Sequence, residues 1–205
     1  IFNSNYYPDI YDSLFNLKIY QKQEFNENKM LPLKNVLSNN KGFSLSNNQK
    51  FAKNYMSMYT PYNGVLLWYQ VGVGKTCAAI SIAETYKEYI KAKNKKVLIL
   101  LPSETLIHNW KNEIFNIEKE INKYIANNSY NVQCTNNSYS SLIKDIKKVA
   151  QEIKLAKENP EIDSLQLQSK VSMDKIKIQA NKIINRYYDF MGYQSLANSI
   201  ERDLR

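Results

Sequence analysis

The sequence predicts an α/β fold in which a parallel sheet carries helices on both faces. Two runs of bulky apolar residues, at 65–69 and 97–101, are typical of fully buried parallel strands. A helical pattern of apolar residues follows each run, and the order strand, helix, strand, helix is that of a parallel sheet with crossover helices. A third bulky run, at 188–193, predicts a further strand before a closing helix.

The composition is that of a folded and strongly basic chain. A chain of 205 residues is long enough for one core with an insertion. Its hydrophobic content of 43% excludes a disordered chain. The net charge of +9 favours a polyanionic partner, although lysines that alternate with acids along helices also serve simply to solvate them. Since no apolar run reaches about 18 residues and no signal peptide is visible, we expect an intracellular protein without a membrane partner.

Helical periodicity and turn residues divide the chain into four segments. A helix is expected at 44–58 with Ser46 as its N-cap, and another at 104–120. Apolar residues at alternating spacings of three and four, on both sides of Asn159-Pro160, predict a helical hairpin. A strand is expected at 130–135. The segments are an extended N-terminal arm with a short helix near 10–15 (1–43), the first part of the α/β lobe (44–126), a helical insertion (127–186) and the rest of the lobe (187–205).

The segment after the first predicted strand carries the chemistry. Gly72 and Gly74 let the backbone turn tightly, and a helix that opens at Lys75 directs its positive dipole end toward an anion. The Lys75 ammonium and the Thr76 hydroxyl are placed to contact terminal phosphates and Mg²⁺, respectively. Tyr69 stands where the motif G-x-x-x-x-G-K-[ST] has its first glycine. We assign the catalytic roles to Lys75 and Thr76, the metal to Thr76, and nucleotide contacts to Val71, Gly72, Val73, Gly74, Lys75, Thr76 and Cys77.

Three stretches resemble the N-terminal RecA-like lobe of superfamily 2 helicases and translocases. They are LSNNQKF (45–51), LLWYQVGVGKT (66–76) and VLILLPSETLIHNWKNEI (97–114). The resemblance implies a RecA-like sheet, ATP and Mg²⁺ as cofactors, and an adenine contact from Gln49, for which an ordinary surface glutamine is the alternative. It also implies that Ser103 and Asn109 lie along a nucleic-acid backbone, whereas Trp110 keeps the apolar stripe and is assigned to the core.

A narrower resemblance concerns helicases of poxviruses and other large cytoplasmic DNA viruses. Residues 59–67 are similar to theirs, and that group also lacks the first glycine of the loop, usually in favour of His. Residues 7–11 and 19–25 resemble the lead-in of the small subunit of the viral early transcription factor, and residues 188–198 resemble the strand and helix before a DEAH-type box. These similarities imply a translocase of viral transcription in the host cytoplasm and virion, with DNA or RNA and RNA polymerase or another transcription factor subunit as partners.

Two features of the family pattern are missing from this sequence. No Asp-Glu pair follows a buried strand, and a second lobe with its arginine finger is absent, so we expect nucleotide binding without hydrolysis by this segment alone. A nucleoside triphosphatase of transcription termination and a replicative helicase are alternatives. A degenerate nucleotide-binding lobe that serves as a scaffold is an alternative of another class. For the basic faces of the hairpin there are two interpretations. They contact nucleic acid or a polymerase subunit, or their lysines are only solvated.

Overall fold

The computed structural model describes residues 6–29, 43–128, 134–135 and 137–204. The strand expected at 130–135 lies outside the described residues except for its last two positions, which form a turn. The chain divides into two compact units, residues 1–89 and residues 90–205. Each unit is described by itself.

The first unit is helical in its described part. Residues 6–29 hold two short helices, whereas the sequence predicts an extended arm with one short helix near 10–15. Aromatic side chains of this segment pack into a core. Ile19, Phe25 and Tyr62 are buried at the centre of that core, and the rings of Tyr55 and Tyr62 stack at 4.3 Å. The helices of this unit are α1 (Phe15–Tyr20), α2 (Gln23–Asn26), α3 (Asn47–Tyr55) and α4 (Lys75–Thr85), and α5 (Lys87–Ala92) runs across the boundary into the second unit.

The apolar run at 65–69 does not form the predicted strand. It has neither helical nor strand structure, and Leu66 and Trp68 are 82% and 89% exposed. A strand needs a hydrogen-bonded neighbour as well as apolar side chains, and among the described residues this run pairs with no other strand. The apolar composition therefore predicted burial that the structure does not provide.

Helix α4 begins where predicted but buries a different face. The apolar spacing of the sequence predicts a buried stripe of Ala79, Ala83, Tyr86 and Ile90. Ile90 is buried in α5, whereas the buried residues of α4 itself are Cys77, Ala78, Ile80 and Ser81. At 100° per residue, the buried residues of α4 lie on nearly the opposite side of the helix from Ala79, Ala83 and Tyr86, which are half-buried. The cause is α3, which packs against α4 and which no periodicity within α4 itself reveals.

The second unit contains a parallel pair of strands, β1 (Val97–Leu101) and β2 (Tyr188–Gly192). Their register runs from Val97 opposite Tyr188 to Leu101 opposite Gly192, which confirms both predicted strands and their parallel arrangement. Full burial of β1 is wrong, because Leu98 and Leu100 are 47% and 39% exposed. The described chain is thus an α/β structure with a small two-stranded parallel sheet.

Helices make up the rest of the second unit. The single helix expected at 104–120 is two helices, because Phe115 is extended and Asn116 caps a new helix by accepting from the Lys119 amide at 2.9 Å. The predicted hairpin is present, with Ile146 and Val149 of its first helix and Ile176 of its second buried. None of the described helices is long and apolar enough to cross a bilayer. The helices are α6 (Leu106–Ile114), α7 (Ile117–Asn127), a 3₁₀ helix (Asn137–Leu142), α8 (Ile143–Glu158), α9 (Asp163–Tyr187) and α10 (Tyr193–Asp203).

Candidate functional site

The loop before α4 turns on two glycines in the left-handed region. Gly72 has φ of +85° and Gly74 has φ of +83°, a conformation that costs side-chain-bearing residues roughly 1–2 kcal/mol. A Cβ added at Gly72 would meet nothing within 4 Å, so the space above this residue is open to a ligand. Gly74 is also the N-cap of α4 and offers no side-chain cap to the amides that follow it.

Gln49 supports this loop from α3. Its backbone amide and side chain form a capping box with Ser46, in which Gln49 Oε1 accepts from the Ser46 amide at 2.8 Å. The other end of the same side chain, Nε2, donates to the Gly74 carbonyl at 3.0 Å. With only 7% of its surface exposed, Gln49 is not an ordinary surface glutamine. Its adenine contact stays a prediction, whereas its contact with the loop is a feature that the sequence did not reveal.

Tyr69 anchors the other end of the loop to the same helix. Its hydroxyl donates to the Asn48 carbonyl at 3.2 Å, and burial raises the pKa of this phenol. Asn48 and Gln49 are neighbours in the first turn of α3, so adjacent residues of one helix hold the beginning and the end of the loop. Tyr69, which replaces the first glycine of the motif, therefore holds the loop against α3. The sequence shows the capping signal of Ser46 and Gln49, but nothing in it pairs Tyr69 with Asn48.

The polar groups around the start of α4 remain open to an anion. The amides of Lys75 and Thr76 precede the first intrahelical bond of α4, from the Ala78 amide to the Gly74 carbonyl at 3.0 Å. Lys75 is exposed and makes no ion pair among the described residues, and Thr76 is half-buried. The structure thus brings together Gly72, Gly74, Lys75, Thr76 and Gln49 in one place.

The remaining predicted contacts differ in their exposure. Val71 is fully exposed at 100% and Val73 is 52% exposed, whereas Cys77 is buried within the first turn of α4. Within the described ranges, no cluster of three or more His, Cys, Asp or Glu residues could hold a metal ion. A cation at this loop would accordingly depend on the Thr76 hydroxyl and on phosphate oxygens.

The residues predicted to follow a nucleic-acid backbone lie in the second unit. The parallel register places the turn after β1 and the first turn of α10, which follows β2 directly, at the same edge of the sheet, where Ser195 Oγ donates to Glu104 Oε1 at 2.8 Å. The Ser103 hydroxyl lies 2.7 Å from that of Thr105, and Asn109 is exposed on α6. The carboxyl edge of a parallel sheet is the usual place for ligands in α/β proteins. The link from Glu104 to Ser195 joins positions 91 residues apart, and the sequence did not reveal it.

Comparison with known proteins relates the chain to one protein family and to several viral proteins. The model of the SNF2-related domain family matches residues 16–191. A protein of Acanthamoeba polyphaga mimivirus named as an ATP-dependent RNA helicase is 26% identical over 206 residues, which cover 95% of this chain and 15% of the relative. A protein of Invertebrate iridescent virus 3 named as a helicase is 29% identical over 119 residues, covering 54% of this chain and 12% of that protein.

A shorter similarity involves a transcription factor. An early transcription factor large subunit homolog of African swine fever virus is 43% identical over 49 residues, or 24% of this chain and 4% of the relative. No solved structure matches the chain. This chain spans less than a sixth of the length of each of these relatives.

Proposed function

Because the chain belongs to the SNF2-related domain family, we propose that it is the ATP-binding part of a helicase or translocase that acts on nucleic acid in viral transcription. The names of the mimivirus and iridescent virus relatives support the helicase activity, and that of the African swine fever virus relative supports the link to transcription. The lead-in at 7–11 and 19–25 favours the early-transcription-factor type and, within it, the small subunit. A RecA-like arrangement of the lobe, with the segment at 127–186 as an insertion, belongs to this proposal.

One observation carries the nucleotide assignment. Two left-handed glycines lead into a helix whose first amides have no side-chain cap, and a lysine without an ion pair among the described residues stands at its first position. Backbone amides, a helix dipole and an ammonium group converge in this way where proteins hold phosphates.

The residues of the loop fit ATP and Mg²⁺. The open space above Gly72 admits a phosphate chain, Lys75 reaches its terminal phosphates, and the Thr76 hydroxyl is a ligand suited to Mg²⁺. Bound Mg²⁺ would neutralise charge on the phosphates. None of residues 71–77 is a carboxylate or a histidine that could activate water. We therefore propose that these residues bind nucleotide without hydrolysing it on their own.

The proposed helicase or translocase implies a nucleic acid and a protein as partners. Ser103 and Asn109 would contact the backbone of DNA or RNA, and RNA polymerase or another transcription factor subunit would be the protein partner in infected cells. The termination triphosphatase and the replicative helicase use the same loop chemistry. A degenerate nucleotide-binding lobe that serves as a scaffold would use the loop without hydrolysis.

Isothermal titration of the chain with ATP and Mg²⁺ tests the nucleotide assignment that these functions share. We expect wild type to bind, and Lys75→Ala to weaken binding at least about tenfold, since a hydrogen bond to a charged group contributes roughly 1.5–3 kcal/mol. Lys50→Ala, which removes an exposed lysine from α3, is the matched control and keeps wild-type affinity. Equal affinities for the two variants, or no binding by wild type, would contradict the assignment.

A further inference from the structure

Helix α9 carries apolar residues on its exposed side as well as on its buried side. Leu167, Val171 and Ile178 are 65%, 43% and 56% exposed. At 100° per residue they fall within an arc of about 40°, and they extend over about 17 Å, or about three turns, of the helix. We call these three residues the α9 seam. Single exposed apolar residues are common on protein surfaces, whereas an aligned row of this length is typical of a contact surface.

The α9 seam is separate from the face that α9 buries. Ser169, Ile176 and Ala180 are buried about 180° away around the helix. Within the second unit, α9 packs against α8, α7 and α6. This packing accounts for the buried face of α9 and leaves the seam exposed.

The spacing along the exposed side is that of a coiled coil. Positions 167, 171, 174 and 178 alternate in steps of four and three residues, as the a and d positions of a heptad repeat do. Such positions face a second helix that lies along the first. Asp174 occupies one of them and is exposed. A single polar residue in a seam fixes the register of the partner helix, so the pattern fits a helix as the occupant.

Lysines flank the α9 seam on both sides. Lys175 and Lys182 lie on one side and Lys170 on the other, at the e and g positions of the same repeat. All three are exposed, and none of them forms an ion pair with a described residue. The acids of α9 are Asp174 within the seam and Asp163 at the beginning of the helix. Because residues at e and g pair with the neighbouring helix, these flanks favour a helix that carries acids.

The same charges disfavour a second copy of α9 as the occupant. In a parallel pair, Lys170 of one copy would face Lys175 of the other, and in an antiparallel pair lysines of the same flank would face each other. Lys177, at the next g position, is half-buried and already paired with Glu118 at 2.6 Å. A bilayer surface is disfavoured as well, because Asp174 would enter the apolar layer without a partner.

We infer that the α9 seam binds an amphipathic helix of a partner protein, which carries apolar residues against the seam and acidic residues on both flanks. A basic or amide side chain of that helix would meet Asp174. The inference rests on the proposed function, in which a transcription protein is the partner, and it assigns that partner a surface on the helical hairpin. Docking of this kind buries apolar anchors spaced by three and four residues, and the flanking ion pairs select the partner.

Fluorescence anisotropy with two labelled synthetic peptides tests the inference on the full 205-residue chain. Both peptides have about three heptads, with leucine at a and d and one asparagine among them, and they differ only in carrying glutamate or lysine at e and g. Wild type should bind the glutamate peptide at least about tenfold more tightly than the lysine peptide, because only glutamate pairs with the lysines beside the seam.

The seam variant is Leu167→Gln/Val171→Gln/Ile178→Gln. It should bind the glutamate peptide at least about tenfold more weakly than wild type, because the apolar contacts are lost. Its matched control removes three exposed apolar residues from α10 and should change the affinity less than about threefold. This control is Tyr193→Gln/Ile200→Gln/Leu204→Gln. Circular dichroism should show the helix content of wild type in both variants.

Charge reversal tests the flanks. Lys170→Glu/Lys175→Glu/Lys182→Glu should reverse the preference, so that the lysine peptide binds more tightly than the glutamate peptide. The matched control changes the net charge equally through exposed lysines of α8 and should keep the preference of wild type. This control is Lys144→Glu/Lys148→Glu/Lys154→Glu.

Several outcomes would overturn the inference. They are equal affinity of wild type for the two peptides, binding of neither peptide, and equal losses in the seam variant and its α10 control. A wild-type dimer in sedimentation that the seam variant abolishes would assign the seam to a second copy, and binding of phosphatidylserine vesicles in place of the peptide would assign it to a membrane surface. ATP titration of the seam variant keeps the two proposals apart. Unchanged ATP affinity in a chain without peptide preference refutes the seam and leaves the nucleotide site standing.

Discussion

Replacing Gly74 by alanine probes the contact between α3 and the loop. Two costs add at this position. Left-handed backbone at φ of +83° costs an alanine roughly 1–2 kcal/mol, and the new Cβ would lie 2.3 Å from Gln49 Nε2 and displace it from the Gly74 carbonyl. The lost hydrogen bond contributes about 0.5–1.5 kcal/mol. We therefore expect Gly74→Ala to lower the free energy of unfolding by about 1.5–3.5 kcal/mol.

Gly72→Ala is the matched control for the backbone. It has nearly the same φ, +85°, but open space around the added Cβ, so it should cost only about 1–2 kcal/mol. Urea unfolding of Gly74→Ala, Gln49→Ala and the double variant completes a thermodynamic cycle. In the Gln49→Ala background, Gly74→Ala should cost as little as Gly72→Ala does. Additive costs at residues 49 and 74, with no coupling energy, would refute the contact.

Two further predictions concern one hydrogen bond in each of the two units. Tyr62→Phe removes the hydroxyl that donates to the Pro8 carbonyl at 2.9 Å and should cost about 0.5–1.5 kcal/mol at neutral pH. Burial raises the pKa of Tyr62 to about 12, so its stabilising effect is complete below pH 10 and is lost as pH rises toward 12. Wild type should therefore lose more stability than Tyr62→Phe between pH 9 and 12 by circular dichroism, and parallel losses would contradict this. In the second unit, Asn116→Ala should cost about 0.5–2 kcal/mol through loss of the α7 cap, whereas the exposed control Asn122→Ala should be near neutral. Equal urea midpoints for these two variants would rule out the cap.

The sequence predicted correctly those elements that depend on neighbouring residues or on a regular apolar pattern. Ser46 caps α3 as expected, the two apolar segments at 97–101 and 188–192 pair in parallel, and the periodicity on both sides of Asn159-Pro160 gives the hairpin. These features depend on side chains within a few residues or on a strong period. The glycine pattern at 72 and 74 likewise gave the loop, because few residues other than glycine adopt that backbone readily.

Features that depend on distant partners were missed. The run at 65–69 has the composition of a strand, but its structure depends on a neighbouring strand that composition does not reveal. The buried face of α4 is decided by α3. The break at Phe115 was missed although its cap, in which Asn116 accepts from the Lys119 amide, is local. Gln49 was singled out for a ligand, yet its contact with Gly74, 25 residues away, became visible only in three dimensions.

The central claim is that residues 72–76 hold the phosphates of a nucleotide. Amide resonances of the ¹⁵N-labelled chain, followed during titration with inorganic triphosphate and then with ATP and Mg²⁺, test it most directly. We predict that the largest shifts occur at Gly72, Gly74, Lys75 and Thr76 with both ligands, since the phosphates alone are bound there. Shifts centred elsewhere in the chain, or none at these four amides, would contradict the claim.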